Sequence, residues 1–154
     1  MNYLGFKPET IQSTVSELNI LLSNYQIYYQ NLRNYHWNIS GAHFFDLHVK
    51  FEELYNEAKT NIDEIAERVL TLRMKPTSTL KEYLEMADVI EQSTDNPEDM
   101  VSNILEDHRK LITNLRKVIV TAGEASDEGT IDMAAGFLAS LEKNSWMLDA
   151  WLNK

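Results

Sequence analysis

His36, His48, Asp63 and Glu67 are the residues whose types and spacing best support chemistry. Imidazole and carboxylate together make a mixed nitrogen–oxygen donor set for a first-row metal. A Ser40-Gly41 break centres near residue 42, with His36 six residues before it and His48 six after. In an antiparallel helical hairpin those positions come opposite each other, where two imidazoles could share an ion. Asp63 and Glu67 are four residues apart, so they lie on one face of a helix. Like charges at that spacing repel mildly, and a bound cation removes the cost.

The two pairs cannot meet on one straight helix. Fifteen residues separate His48 from Asp63, and at the α-helical rise that is ~22 Å along the axis. Their angular offset is only about 60°, so both lie on one broad side. Two copies of this helix, laid antiparallel across a two-fold axis near residues 56–57, would bring His48 of one chain to the Asp63–Glu67 pair of the other. The sequence therefore predicts a metal site shared between subunits. Glu52, one turn after His48, is the candidate bridging or supporting carboxylate. The donors suit iron, with manganese and zinc as substitutes, and not calcium, which takes oxygen ligands only. A plainer reading competes: helix-end histidines that cap or pack, and an acidic pair on a solvated face.

Long helices must hold these residues. Apolar side chains recur at helical spacing from Pro8 to about Trp37, through Ile11, Val15, Leu18, Leu22, Tyr25, Tyr29 and Leu32. A second stretch runs from about Phe44 to Leu72 and is stopped by Lys75-Pro76. Thr79 and Glu82 form a capping box for a short helix, about Leu80 to Ala87. Asn96-Pro97-Glu98-Asp99 opens a third long helix, expected to end with Gly123 at its C-terminal cap. A fourth starts near Gly129-Thr130 and is still helical at the last residues. No stretch alternates with the period of a strand. The fold class is all-α, one domain over residues 1–154: a four-helix bundle with a short extra helix between the second and third.

Composition narrows the function. Fourteen Lys and Arg stand against twenty-four Asp and Glu, a net charge of −10. That balance repels nucleic acid and attracts cations. Without cysteine, disulfide scaffolds, zinc fingers, iron–sulfur clusters and thiol catalysis are excluded. No run is apolar enough for a membrane span, and MNYLGFKPET lacks the pattern of a secretory signal, so the expected compartment is the cytoplasm. His43, in the turn, is expected to face solvent; His108, on an apolar stripe, to be buried and hydrogen-bonded. Tyr25, Tyr28, Tyr29 and Tyr35 read as packing or interface residues, and Arg68 as an ion-pair partner at a dimer contact.

The stretch NYHWNISGAHFFDLHVKFEELYNEAKTNIDEIAER, residues 34–68, resembles the signature of the Dps family, the mini-ferritins. The matching residues are His36-Trp37, Gly41, Phe45-Asp46-Leu47-His48, Asp63 and Ala66-Glu67-Arg68. The resemblance covers nearly the whole chain and implies a ferritin-like bundle. It implies that His36 and His48 bind iron from one subunit while Asp63 and Glu67 bind it from the two-fold mate. Glu52 stands where the family often has a shorter Asp. Trp37 matches a Trp beside the centre, a local electron donor or radical sink. The resemblance further implies a hollow dodecamer with acidic pores, for which Asp127, Asp132 and Glu128 are candidates; the plainer role for these acids is helix N-terminal charge.

The activity so implied is a ferroxidase that oxidises Fe²⁺, with peroxide preferred to dioxygen, stores ferric mineral and thereby protects against oxidative stress. Many relatives bind DNA through a basic N-terminal extension; here the residues before the first helix hold one base, Lys7, and the C-terminus only Lys154, so direct DNA binding is not expected. A non-catalytic shell on the same scaffold is the alternative. A di-iron centre inside each bundle is disfavoured, because no His follows a Glu by three residues: those positions are Arg33, Ser40, Phe45 and Leu105.

Overall fold

The computed structural model describes residues 3–153, so Lys154 lies outside the described residues. The elements are α1 (Pro8–Asn38), α2 (Phe44–Thr71), α3 (Leu80–Met86), α4 (Pro97–Glu124) and α5 (Glu128–Leu152). α1 is the central element: it packs against α2, α3 and α4, and α4 packs in turn against α5. No strand occurs among the described residues, and no helix is long and apolar enough to cross a membrane. The architecture is the expected bundle with its short extra helix.

Local chemistry sets the helix starts. Pro8 occupies the first turn of α1, where its missing N–H is no loss. Thr79 and Glu82 close the capping box of α3 in both directions. Asn96 Oδ1 accepts from the Asp99 N–H at 3.0 Å ahead of Pro97. Asp127 caps α5, accepting from the Thr130 N–H at 3.1 Å, so α5 opens one residue before the expected Gly129.

α2 and α4 stop within a residue of the expected ends, Leu72 and Gly123, but by a different device. α4 passes through Gly123, and the left-handed residue that ends it is Ser126, φ 56°. Its closure is a Schellman pair: Asp127 N–H to Ala122 O at 2.8 Å and Ser126 N–H to Gly123 O at 3.1 Å. α2 ends the same way at Arg73, φ 66°, with Met74 N–H to Val69 O at 3.1 Å, before Pro76 is reached. In both cases a side-chain-bearing residue takes a left-handed turn that glycine would take more easily.

The core holds Leu18, Leu22, Leu32, Phe51, Ile65, Leu111 and Leu115 with three buried tyrosines, Tyr25, Tyr28 and Tyr35. Three asparagines of α1 hold the long connection from α2 to α4. Asn19 Oδ1 accepts from the Thr77 N–H, Asn24 Oδ1 from the Asp88 and Val89 N–H groups, and Asn31 Oδ1 from the Gln92 N–H. These side chains stand in for the backbone partners that an irregular segment lacks. α2 and α5 are joined by longer reach: Lys50 Nζ donates to Asn144 Oδ1 at 2.8 Å, the Ser140 hydroxyl bonds Glu57, and Arg68 Nε donates to Thr130 Oγ1 at 2.9 Å.

His108 is buried, as its stripe implied. The Ser145 hydroxyl donates to Leu141 O at 2.7 Å, so it accepts from His108 Nδ1–H at 2.8 Å. Nε2 is then left to accept from the Tyr28 hydroxyl, also at 2.8 Å. Burial, aided by Lys50, pushes this imidazole down to about 3, so it stays neutral.

Asp107 is fully buried, receives the Asn31 amide at 3.0 Å on Oδ2, and has no partner on Oδ1. Burial pushes its carboxyl up to about 7 against the pull of that amide. A raised folded-state value means that the contribution is full below the unfolded value near 3.8 and is lost as pH climbs through about 7. Urea unfolding from pH 5 to pH 8 is therefore expected to show the parent losing roughly 2 kcal/mol more than Asp107→Asn. Parallel curves for the two proteins would refute the assignment.

Candidate metal centre

The turn over residues 39–43, with Gly41 at φ 89°, folds α2 back along α1 and sets His36 level with His48. Each Nδ1 lies 2.8 Å from the other histidine's backbone carbonyl. A carbonyl only accepts, so both Nδ1 atoms donate, and the two Nε2 atoms are the nitrogens left to face an ion. The imidazoles stack with centroids 3.8 Å apart and planes 16° from parallel. Phe44 stacks on His48 at 4.7 Å, and Tyr55 meets His36 edge-on at 5.2 Å. His36 is buried and His48 half-buried. Tautomer and ring orientation are thus fixed by partners behind the donor atoms, as in histidine metal sites.

Asp63 and Glu67 are exposed on α2 and line one open groove with Asn56, Lys59 and Thr60. Among the described residues, no three His, Cys, Asp or Glu side chains come together within one chain. The four candidates therefore form two separate pairs, nitrogen donors at one end of α2 and oxygen donors toward the other. Glu52 is exposed, one turn from His48, with the Tyr55 phenol beside it. Burial first, then the Glu52 carboxylate and Tyr29, raise the Tyr55 phenol above its ordinary range.

Trp37 is 63% exposed and its ring lies against Arg33, 5.4 Å from the guanidinium carbon. Arg68 turns toward α5, where it pairs with Asp127 and bonds Thr130. Asp127 is buried and fully engaged as cap and counter-ion, so its carboxylate is spent within the subunit. Glu128 and Asp132 remain exposed. His43 is exposed but not idle: Nδ1 lies 3.4 Å from Asp46 Oδ2, which also accepts from Trp151 Nε1–H at 3.1 Å. Sequence reasoning missed Phe44 and Tyr55 as the supports of the histidine rings. Tyr55 had a usable signal, since it follows His48 by two helical turns.

Comparison with known proteins identifies relatives of the same family and fold. The ferritin-like domain family matches residues 15–154. The chain is 40% identical over 144 residues to DNA protection during starvation protein 2 of Bacillus anthracis, covering 93% of this chain and 99% of that protein. General stress protein 20U of Bacillus subtilis is 41% identical, with 92% and 98% covered. The crystal structure of the Vibrio cholerae O1 DPS protein, described as a member of a broad superfamily of ferritin-like diiron-carboxylate proteins, superposes with a TM-score of 0.96 at 38% identity, covering 99% of this chain and 97% of that one. Dps from Bacillus brevis superposes at 0.92 with 41% identity, over 96% and 99%. A bundle with a short crossover helix, an orientation-locked histidine pair and near full-length similarity to these proteins together make the chain a member of the Dps family within the ferritin-like fold.

Proposed function

We infer that the protein is a ferroxidase that oxidises Fe²⁺ at centres shared between two-fold-related subunits. In this reading His36 and His48 of one protomer and Asp63 and Glu67 of its partner hold the iron, and Glu52 supports or bridges. Iron is the substrate, and the protein acts in the cytoplasm as a hollow dodecamer in which ferric mineral collects. Zinc or manganese can occupy the same donors. Peroxide is the preferred oxidant, so that Fe²⁺ and peroxide are consumed together and hydroxyl radical is suppressed.

The observation that carries this reading is the reciprocal pair of imidazole-to-carbonyl bonds. It leaves the two Nε2 atoms as side-by-side nitrogen donors, while Asp63 and Glu67 lie too far along the same helix to complete the set. Carboxylates stabilise both oxidation states of iron, and imidazoles hold them without adding charge. Exposed acids at the start of α5, Glu128 and Asp132, would draw Fe²⁺ inward when repeated around an assembly.

The test is ferrous oxidation followed optically, with peroxide and with dioxygen, on the parent and on His36→Ala/Asp63→Ala. The parent is expected to oxidise Fe²⁺ well above buffer, faster with peroxide, and to yield a soluble core; the variant should fall to the buffer rate. Equal rates in the two proteins would favour a shell without catalysis. Mixing His36→Ala with Asp63→Ala subunits should restore part of the activity, because hybrid pairs contain an intact set. A second expectation follows from the net charge of −10 per chain. Duplex DNA should not be retarded at neutral pH and near-physiological salt, and a clear shift would overturn the view that protection works without direct DNA binding.

A further inference from the structure

The Asn31 amide joins two parts of the bundle that are far apart in sequence. Its Nδ2 donates one hydrogen to Asp107 Oδ2 of α4 at 3.0 Å and the other to Ile90 O of the crossover at 2.9 Å. Its Oδ1 accepts from the Gln92 N–H at 3.0 Å. Both amide hydrogens and the carbonyl are thereby committed. On one side of this amide stands Asp107, fully buried, whose Oδ1 has no partner among the described residues. On the other is a polar recess of about 380 Å³, walled by Gln30, Asn31, Asn34, Glu91, Gln92 and Ser93. Asn34 Oδ1 is a second buried acceptor without a partner among the described residues. Asn31 is the residue common to the buried acid, the crossover and the recess.

The groups facing Asp107 give a charge there little support. On α4, Lys110 favours the carboxylate and Glu106 opposes it, and the same Lys110 ammonium lies 3.9 Å from Glu106. On α1, burial raises the Tyr28 and Tyr35 phenols, so both stay neutral, and Tyr28 spends its hydroxyl on the neutral His108 ring. From the crossover, Glu91 on the recess wall adds another acid. Burial outweighs the Asn31 amide and Lys110, so Asp107 is protonated in acid and ionises as pH climbs through about 7. A buried carboxylate with one donor is costly, and it gains most by drawing in more donors. We propose that Asn31 and Asp107 form a proton-operated latch on the crossover: with Asp107 protonated the amide holds Ile90 and Gln92 to α1, and with Asp107 ionised the amide turns to the carboxylate as solvent enters through the recess, releasing both residues. The opening is local. Upstream, Asn24 Oδ1 accepts from the Asp88 and Val89 N–H groups at 2.7 and 3.0 Å, and its Nδ2 is tied to the neutral amide of Asn114. That anchor holds at either pH. The latch is independent of iron.

The experiment is hydrogen exchange at single-amide resolution on the full-length, assembled protein at pH 6 and pH 8, each rate divided by the intrinsic rate of an unstructured chain at the same pH. The ionised fraction of a group with a midpoint near 7 rises about tenfold across that interval. Protection of the Gln92 N–H is therefore expected to fall about tenfold, while that of the Val89 N–H holds within about twofold. In Asp107→Asn, which keeps the shape and cannot ionise, Gln92 should be equally protected at both pH values. In Asn31→Ala, Gln92 should be weakly protected at both, with Val89 unchanged. A Gln92 response no larger than that of Val89 in the parent overturns the latch. So does a Gln92 response that survives Asp107→Asn, since Glu91 or another group would then be its source. Should Asp107→Asn fail to assemble, the contrast between Gln92 and Val89 in the parent still decides.

Discussion

Two imidazole N–H groups, each bonded to the other histidine's backbone carbonyl, close the top of the α1–α2 hairpin. His36 O lies in the last turn of α1, where carbonyls run out of helical partners, and the His48 ring supplies the missing donor. As stabilisation each bond is worth only about 1 kcal/mol. Their larger effect is on register. If α2 slid by one turn, both bonds would break together, the stacked rings would part, and a helix-end carbonyl would lose its donor. Phe44 and Tyr55 then hold the rings from either side. The same contacts that settle the register also settle which ring nitrogens remain available.

Below that clasp, α2 is a spacer. It runs uninterrupted from Phe44 to Thr71, carrying nitrogen donors near one end and carboxylates toward the other. Its buried stripe, Leu47 through Val69, leaves the acidic face to solvent. α5 is fastened to it by side chains that span the gap, Lys50, Glu57 and Arg68. The crossover to α4 is held by amides of α1, whose side chains accept from the Thr77, Asp88 and Gln92 N–H groups as the chain passes from one helix pair to the other.

The periodic apolar stripes were enough to read the helices, because burial of one face is a local, repeating signal. The level pairing of His36 and His48 was legible for the same reason: a short turn between helices leaves little freedom in register. Helix ends were less legible. Gly123 looked like a terminator, yet Ser126 takes the left-handed turn, since the stop is set by where α5 must dock. Asp127 looked like free acid beside Glu128 and Asp132. Only the fold reveals that Arg68, far upstream, consumes it. Tyr55 was overlooked because a tyrosine at helical spacing carries no chemical mark until its neighbours are known.

That Arg68–Asp127 contact has a consequence for how the sequence can drift. The Arg68 guanidinium lies flat over the first turn of α5, and a Cβ added to Gly129 would sit 2.9 Å from its Nη2 and 3.1 Å from its Cζ. One extra methyl there would crowd the guanidinium, the far end of a flexible side chain, which has to give by a few tenths of an ångström while holding its buried carboxylate. The missing side chain at 129 is thus part of how Arg68 reaches Asp127: the bare backbone there leaves room for the cation that crosses from α2 to the start of α5.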